Sequence, residues 1–433
     1  MFTELNEDTI VKVSTMKNEP EWMREFRLKS LKKFLSLDMP KFGPKLDIDF
    51  SSINYYKKEQ DSVDDWNKVN CSIKKTFEDL GVIEAENKYL GGVSNQYESE
   101  VLYHKVGDEI DSKGVIFMST DDALKKYPNL FNKYFNHLVK FDENKFTALN
   151  GALWSGGSFI YIPPNVKLDR PLQSYFRIDS MALGQFERTI IIVDDGAELS
   201  YIEGCTAMSY SVNSLHAGVV EIYVGKNAKM RYSTIQNWSR DVYNLVTKRA
   251  IVEEGGVMEW VDGNIGSGVT MKYPSCILKG DNSVGNSISI AYARCGQVLD
   301  AGAKMIHLGK NTKSKIISKS IAGEGGIANY RGEVKITSGA ANSYATVKCD
   351  TIILDEESKS DTYPLNIVSN KTSILEHEAS VSKISEDKLF YLMSKGMSEE
   401  EAKELLIAGF ISEFKRELPM EYAVELNRLI KEI

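Results

Sequence analysis

The sequence predicts a mainly β fold in which a β-solenoid core is flanked by N-terminal and C-terminal helical domains. From about residue 150, short runs rich in Val, Ile, Tyr and Thr alternate with Gly, Asn and Asp, which is typical of strands and turns. Helix signals nearly vanish from there until about residue 385. Similar turn sequences also recur at glycines that lie 29, 31, 24, 29 and 30 residues apart, namely Gly196, Gly225, Gly256, Gly280, Gly309 and Gly339.

This recurrence favours a solenoid over a β-sandwich with evenly spaced hairpins. One coil of a solenoid cannot bury its inner face alone, so it must stack on its neighbours. Gly or Asn is expected wherever a corner needs positive φ. Sandwiches also show turns every 8 to 12 residues or so, but they do not require a longer repeat of similar turn sequences.

The N-terminal region carries helix signals at three places. Asn18 and Pro20 precede an apolar stripe that predicts a helix over about 20–37. A second helix is predicted near 71–80. The apolar residues of 121–138 predict a third helix, which we expect to cover one end of the core.

After the core, the pattern returns to helix. One helix is predicted to end at Gly396, a capping box at Ser398 and Glu401 begins the next, and Pro419 begins a last one. These helices are too few to bury their apolar residues, so we expect them to pack on the solenoid or on a partner. The predicted domains are an N-terminal helical domain, a mixed α/β cap, the core and a C-terminal helical domain, at 1–85, 86–149, 150–385 and 386–433.

Composition excludes several functional classes. The formal net charge of -8 argues against nucleic-acid binding, which depends on clustered Lys and Arg. The acidic N-terminus and the absence of any run near 18 apolar residues argue against export and membrane spanning. We therefore expect a cytoplasmic protein without nucleic-acid or membrane partners.

The five cysteines are widely scattered and form no C-x-x-C pair, so we expect reduced thiols. Their spacing fits neither a zinc ribbon nor a ferredoxin-type cluster. Any metal site must combine distant positions or two chains. The cysteines are Cys71, Cys205, Cys276, Cys295 and Cys349.

Long blocks of the sequence, in order and across nearly the whole chain, resemble the SufB family. They include NEPEWM (18–23), GQFERT (184–189), SYIEGC (200–205), YSTIQNW (232–238), VTKRA (246–250), KYPSCILKGDNS (272–283), KMIHLGKNTKSKIISK (304–319), YRGEVKI (330–336) and LEHEAS (375–380). The resemblance implies a right-handed parallel β-helix between helical parts. It also implies a scaffold on which a transient iron-sulfur cluster is built, rather than an enzyme.

The same resemblance implies the partners. The C-terminal helical part would dock the ATPase SufC, which binds the ATP, and this chain has no G-x-x-x-x-G-K-[ST] phosphate loop of its own. The second protomer would be SufD or another SufB copy, so a homodimer is possible. Sulfur would come from a donor such as a cysteine desulfurase with its shuttle protein. Participation of reduced flavin stays open.

By resemblance, two cysteines divide the chemistry. Cys205, which we expect just beyond a strand and accessible, is the sulfur acceptor, because sulfur transfer needs a thiolate. Cys349 belongs to the cluster site. The residues that match the sulfur path between them are Arg177, Gln236, Trp238 and Lys248. Without the family, each of these residues would more often be a packing or surface residue.

The EHE string supplies the remaining candidate ligands. Glu378 is the best companion for Cys349, with Glu376 as a helper, whereas His377 is equally well explained as an ordinary hydrogen-bonded side chain. On a strand, the two carboxylates face one side and the imidazole the other, so the three should not bind one metal ion together.

Three departures from the family qualify this assignment. Asp179 stands where the family has Asn, and a carboxylate there would repel a persulfide. Only Cys71 remains of an N-terminal cysteine cluster that some members carry. The segment Ser360-Asp361-Thr362 lacks the histidine and the following cysteine expected after Cys349, so a partner chain would have to supply the missing ligand.

Two other interpretations compete with the scaffold. A SufD-like structural subunit would hold SufC and form half an interface without its own cluster, but the pair Cys205 and Cys349 together with EHE favours SufB. A carbohydrate-active β-helix enzyme would need a carboxylate-rich groove and usually a secretion signal. The missing signal counts against it.

Overall fold

The computed structural model describes residues 2–209 and 213–417. Its fold is mainly β, a solenoid of about 8 turns with helices at the termini, which confirms the predicted class. The helix predicted from Pro419 lies outside the described residues. Within them, no helix is long and apolar enough to cross a membrane.

The N-terminal third combines helices with short strands. Its elements are α1 (Glu7–Met16), α2 (Glu21–Ser36), α3 (Cys71–Asp79), α4 (Val82–Tyr89), β1 (Gly92–Tyr97), β2 (Glu100–Val106), α5 (Asp108–Asp111), β3 (Ile116–Ser119), α6 (Thr120–Lys126), α7 (Pro128–Tyr134) and α8 (Lys145–Leu153). The helices predicted over 20–37 and near 71–80 are confirmed as α2 and α3.

The single helix predicted over 121–138 is wrong, because this segment forms α6 and α7. Pro128 causes the break. Proline lacks the N–H that would continue the first helix, and its fixed φ suits the first turn of the second one.

The core strands form two long sheets. They are β4 (Ser158–Ile162), β5 (Leu172–Ile178), β6 (Gly184–Gln185), β7 (Arg188–Val193), β8 (Glu198–Ala207), β9 (Ser214–His216), β10 (Val219–Val224), β11 (Lys229–Asn237), β12 (Val242–Val252), β13 (Val257–Asn264), β14 (Val269–Lys272), β15 (Ser275–Leu278), β16 (Val284–Ala293), β17 (Val298–His307), β18 (Lys313–Ala322), β19 (Ile327–Ile336), β20 (Tyr344–Ile353), β21 (Thr362–Val368) and β22 (Ile374–Lys383). The first sheet runs β2-β1-β5-β8-β11-β13-β16-β18-β20-β22, and the second runs from β21 to β3.

Successive coils pair in parallel, so each residue of a coil stacks on an equivalent residue of the next. The inner faces of the two sheets enclose a lumen. Aliphatic and aromatic side chains fill much of this lumen, among them Ile191, Tyr201 and Trp260. This stacking makes a column of side chains the basic unit of the interior.

One corner of the solenoid is built from residues with positive φ, six of which follow one another in successive coils: Gly196, Asn227, Gly255, Asn282, Asn311 and Asn342. The backbone N–H of each donates a hydrogen bond to the next coil; that of Asn282, for example, donates to the carbonyl of Lys310 at 2.8 Å. Asn tolerates this conformation better than most residues, which explains its recurrence.

The recurring glycines have a different role from the one predicted. Of the six, only Gly196 has positive φ. Four of the others, Gly225, Gly256, Gly280 and Gly309, allow close approach between coils: a Cβ at Gly280 would lie 2.0 Å from the backbone nitrogen of Glu254, and one at Gly309 would lie 2.4 Å from the carbonyl oxygen of Gly280. The period is therefore set by tight stacking as well as by corner geometry.

Replacing Gly280 with alanine is expected to lower the free energy of unfolding by at least about 2 kcal/mol, because backbone must move to admit the methyl group. Gly339 is the matched control, since its Cβ would meet only Leu308 O at 3.7 Å. Urea unfolding of the two alanine variants measures both effects. Equal stability of the two variants would contradict the close-approach explanation.

Three described helices follow the solenoid, and the second and third of them pack on it. They are α9 (Glu386–Ser394), α10 (Glu399–Phe410) and α11 (Ser412–Glu417), and the predicted capping box at Ser398 and Glu401 is present. Ile407, Ile411 and Phe414 are buried in a cluster with outer-face residues of the first sheet. Of the two predicted docking surfaces, the solenoid is therefore the one observed.

Candidate functional site

Cys205 lies inside strand β8 and is 1% exposed, so its expected position beyond a strand and accessible is wrong. In the first sheet it stands between Phe176 and Gln236 of the neighbouring coils. Burial raises the pKa of the Cys205 thiol well above its ordinary value, and the charge of Glu203 adds to the effect. The charges of Lys248 and Lys272 lower this pKa but do not outweigh burial. The resting group is therefore a neutral thiol.

Charged residues line the lumen beside this thiol. Lys248 crosses from the second sheet to Glu203, with 3.0 Å between Nζ and Oε1, and Tyr232 donates its hydroxyl to the same carboxylate. Lys272 makes a similar pair with Asp262 at 2.9 Å. Burial raises the pKa of Glu203, but Lys248 and these hydrogen bonds outweigh it and hold that pKa below its ordinary value.

Gln236 and Trp238 belong to a second polar group near Cys205. Gln236 Oε1 accepts a hydrogen bond from Asn244 Nδ2 at 2.5 Å. Trp238 shares a buried cluster with Cys205, and its ring lies 4.6 Å from that of His216. The structure thus brings three of the four predicted path residues, Gln236, Trp238 and Lys248, into the lumen around the thiol.

Arg177 lies apart from them. It is paired in register with Thr206, the residue after Cys205, so it faces the opposite side of the first sheet. Its guanidinium contacts Asp179 Oδ1 at 2.5 Å and Thr206 Oγ1 at 3.0 Å. Asp179, expected to repel a persulfide, is thus partly neutralised by Arg177.

A row of stacked polar residues links the levels of the two cysteines. It starts two residues before Cys205, and its members in successive strands are Glu203, Thr234, Asp262, Ser289, Ser318 and Cys349. All are at most 6% exposed, and Ser289 Oγ is 3.2 Å from Ser318 Oγ. Five strand spacings of ~4.8 Å separate the cysteine levels by about 24 Å. Both thiols therefore face one lumen.

Cys349 lies on β20 near the last coil. Its Sγ is 3.9 Å from His377 Nε2, and His377 Nδ1 is 3.0 Å from Asn366 Nδ2. Burial raises the pKa of Cys349 to about 12, against a hydrogen bond with Tyr330 that lowers it. The imidazole of His377 is thus a candidate ligand in contact with this thiol.

The two carboxylates of the EHE string lie on the other face of β22. Glu376 accepts a hydrogen bond from Tyr344 at 2.9 Å, and Glu378 lies 3.9 Å from Lys348 Nζ. The predicted alternation, with both carboxylates on one face and the imidazole on the other, is therefore confirmed, and His377 is the residue that faces inward. No group of three or more metal-ligating side chains is brought together within residues 2–209 and 213–417.

Comparison with known protein families decides what this architecture belongs to. A family model described as "SUF system FeS cluster assembly, SufBD core domain" matches residues 176–410, and one described as "SufBD protein N-terminal region" matches residues 14–174. The chain belongs to the SufBD family. Members of this family take part in iron-sulfur cluster assembly.

Several SufBD relatives are similar along most of their length. Iron-sulfur cluster assembly SufBD family proteins of Staphylococcus saprophyticus and of Staphylococcus aureus (strain MRSA252) are 57% and 58% identical over 429 residues. Each alignment covers 99% of this chain and 92% of the relative. The family assignment therefore applies to the whole chain and not to one domain of it.

The other three cysteines of this SufBD protein are not members of the lumen row, although Cys276 lies in the inner core cluster beside it. Cys71 is exposed at the start of α3, and Cys295 is exposed at a turn. Cys276 is buried, and Trp260 Nε1 donates to its sulfur at 3.2 Å. In the segment after Cys349, Ser360 Oγ donates to the carbonyl of Ala328. Sequence reasoning missed the lumen residues Glu187, Glu203, His216, Asn244, Asp262 and Lys272.

For only one of these missed residues did the local sequence indicate a position beside Cys205. Glu203 precedes Cys205 by two positions, so strand alternation places both side chains on one face. The other missed residues come from different coils. Their proximity depends on the stacking register, which the string around Cys205 does not contain.

Proposed function

We propose that this SufBD protein is a SufB-type scaffold, which accepts persulfide sulfur at Cys205 and builds a nascent iron-sulfur cluster at Cys349 together with the ATPase SufC. One observation carries the proposal. Two buried thiols face the same lumen, and a continuous row of stacked polar residues joins their levels. A purely structural subunit has no need of such a row, because buried polar groups cost stability unless they are paired.

The transfer step needs the thiolate of Cys205. After its proton leaves, the thiolate attacks the outer sulfur of the donor persulfide, so one sulfur-sulfur bond forms while the donor's own breaks. The electron pair stays on the donor, which departs as a thiolate and takes up the released proton. Lys248 and Lys272 would stabilise the anionic sulfur in the lumen, since both lower the pKa of Cys205.

At the other end, Cys349 and His377 would meet the iron from the inner face. Glu378 and Glu376 remain proposed ligands from the outer face, so an iron bound by Cys349 would reach them only at the sheet edge. The edge strands β21 and β22 expose apolar side chains, including Leu365 and Ile374. This supports a second protomer there, either SufD or a second copy, completing the cluster site.

The C-terminal helices are the proposed docking surface for SufC. Phe390, Tyr391 and Met393 on α9 and Leu405 on α10 are exposed, although Ile407 of α10 is buried on the solenoid. ATP would be bound by SufC and not by this chain.

The second candidate is a SufD-like subunit that binds SufC but receives no sulfur. It is favoured by the burial of Cys205, since a neutral, enclosed thiol reacts slowly. The two candidates differ in a measurable product, a persulfide on Cys205.

Replacing Cys205 with serine is expected to reduce desulfurase-driven cluster assembly at least tenfold while leaving assembly from inorganic sulfide nearly unchanged, because free sulfide bypasses the acceptor. The assay combines the chain and SufC anaerobically with ferrous iron and either sulfide or a cysteine desulfurase, its shuttle protein and cysteine. Visible absorbance reports the cluster, and mass spectrometry locates the persulfide.

Cys295→Ser is the matched control, because Cys295 is exposed and lies outside the lumen. If the unsubstituted chain acquires neither a persulfide on Cys205 nor a cluster, yet binds SufC and changes its ATPase rate, the scaffold proposal fails and the SufD-like candidate replaces it.

A further inference from the structure

A chain of hydrogen bonds crosses the lumen next to Cys205. The Glu187 carboxylate oxygens lie 2.8 and 2.9 Å from His216 Nε2. His216 Nδ1 is 2.8 Å from Asn244 Oδ1, and Asn244 Nδ2 is 2.5 Å from Gln236 Oε1. All four side chains are at most 2% exposed.

The carboxylate at one end sets the direction of this chain. It can only accept, so His216 donates to it. Burial lowers the pKa of His216, but the charge of Glu187 and the hydrogen bonds outweigh burial and raise it, which favours an imidazolium that donates from both nitrogens. Glu203 also acts on His216 and is itself held by Lys248.

The direction propagates through the two amides. Asn244 turns its oxygen to His216 and its NH2 group to the next residue. Gln236 must then turn its oxygen to Asn244, which leaves its own NH2 group as a donor pointing elsewhere. The protonated histidine thus fixes the orientation of the Gln236 amide.

Two buried donors next to Cys205 are unused. Gln236 Nε2 and Trp238 Nε1 have no hydrogen-bond partner among the described residues. Gln236 stands opposite Cys205 in the ladder, and Trp238 belongs to the same buried cluster. Buried donors without partners are rare in folded proteins, so this pair needs an explanation.

We propose that Gln236 Nε2 and Trp238 Nε1 donate to the anionic sulfur of Cys205, first as thiolate and then as persulfide, and that Glu187, His216 and Asn244 are positioning residues that hold the Gln236 amide in its donating orientation. The inference rests on the proposed function, because it assumes that Cys205 receives sulfur. Donors to the charged form favour that form, which offsets part of the cost of burying it.

Asn244→Asp is the sharpest variant. The aspartate accepts from His216 but cannot donate to Gln236, so the Gln236 amide reverses and presents its oxygen to the sulfur. We expect sulfur loading of Cys205 at pH 7.5 to slow at least tenfold and its half-maximal rate to move to higher pH. Loading is followed by mass spectrometry with inorganic polysulfide and with the desulfurase system, and buried Cys276 serves as the internal control thiol.

A double-mutant cycle with Gln236→Leu separates positioning from the added negative charge. If Asn244 acts through Gln236, Asn244→Asp has no further effect in the Gln236→Leu background. A full additional loss in that background, or unchanged loading in Asn244→Asp alone, would overturn the inference. Trp238→Phe removes the second donor and keeps an aromatic ring. The Trp238→Phe variant replaces the Asn244→Asp variant as the test if the latter does not fold. Unchanged sulfur loading of Cys205 in Trp238→Phe would refute the proposal that both side chains donate to the sulfur.

The experiment distinguishes failure of the proposed function from failure of this inference. If the unsubstituted chain takes no sulfur at Cys205 from either donor, the proposed function fails and the inference fails with it. If the unsubstituted chain loads normally and the variants load equally fast, only the inference fails.

Discussion

Replacing Cys349 with serine is expected to abolish cluster formation on this chain, even when iron and inorganic sulfide are supplied directly. A serine hydroxyl is a much poorer iron ligand than a thiolate. The substitution itself is nearly isosteric, so the fold should persist. Anaerobic reconstitution with SufC, followed by visible absorbance and iron and sulfide analysis, measures the effect, and we expect a loss to below about a tenth of the cluster content of the unsubstituted protein.

Parallel substitutions identify the companions of Cys349. We expect His377→Gln to weaken the cluster, since His377 Nε2 is the neighbouring nitrogen at 3.9 Å. Glu378→Gln tests whether a carboxylate on the outer face joins the site, and full absorbance in that variant would remove Glu378 from it. Cys295→Ser is the control. A normal cluster in Cys349→Ser would place the assembly site elsewhere and refute the assignment.

The fold was predictable because every coil of a solenoid has the same structural requirements. Each coil needs a corner and a close approach, so Gly and Asn recur at a fixed distance and reveal the period without any structure. The exact roles were not predictable. Gly280 and Asn282 lie two positions apart in the same turn, and only the structure shows that Asn282 has the positive φ while Gly280 admits the neighbouring coil.

The candidate site was predictable only in part, for a related reason. Alternation along one strand is a local property, so the opposite facing of His377 and Glu378 could be read from the EHE string. Contacts across the lumen are not local. Lys248 meets Glu203 because the second sheet faces the first, and neither the 45-residue separation nor the flanking sequence specifies that distance.

Whether Arg177 belongs to a sulfur path illustrates the same limit. Resemblance places it with Gln236 and Lys248, but one step of register separates it from them: Arg177 pairs with Thr206, on the outer face, rather than with Cys205. A match in residue identity to a family does not specify which face of the sheet the side chain occupies.

Lys248→Met is expected to lower the free energy of unfolding by about 3–5 kcal/mol at pH 8, because it leaves Glu203 buried without its counter-charge. The two side chains are at most 2% exposed. Lys279→Met is the matched control: Lys279 pairs with Glu253 at 2.7 Å on the surface, and such pairs contribute about 0.2–1 kcal/mol. Urea unfolding at several pH values measures both.

The pH dependence of this loss identifies its cause. In the unsubstituted protein the pKa of Glu203 lies below its ordinary value of 4.5, so its ionised form contributes stability above that pH and the contribution is lost as pH falls through the folded-state pKa. Without Lys248, burial raises this pKa, and ionisation then opposes folding. The difference between the two proteins should therefore be smallest below the lowered pKa of the unsubstituted protein and grow with pH, by up to about 1.4 kcal/mol per pH unit, until the raised pKa of the variant is passed. A loss that is the same at pH 5 and pH 8 would assign the effect to packing of the lysine stem and not to the buried charge.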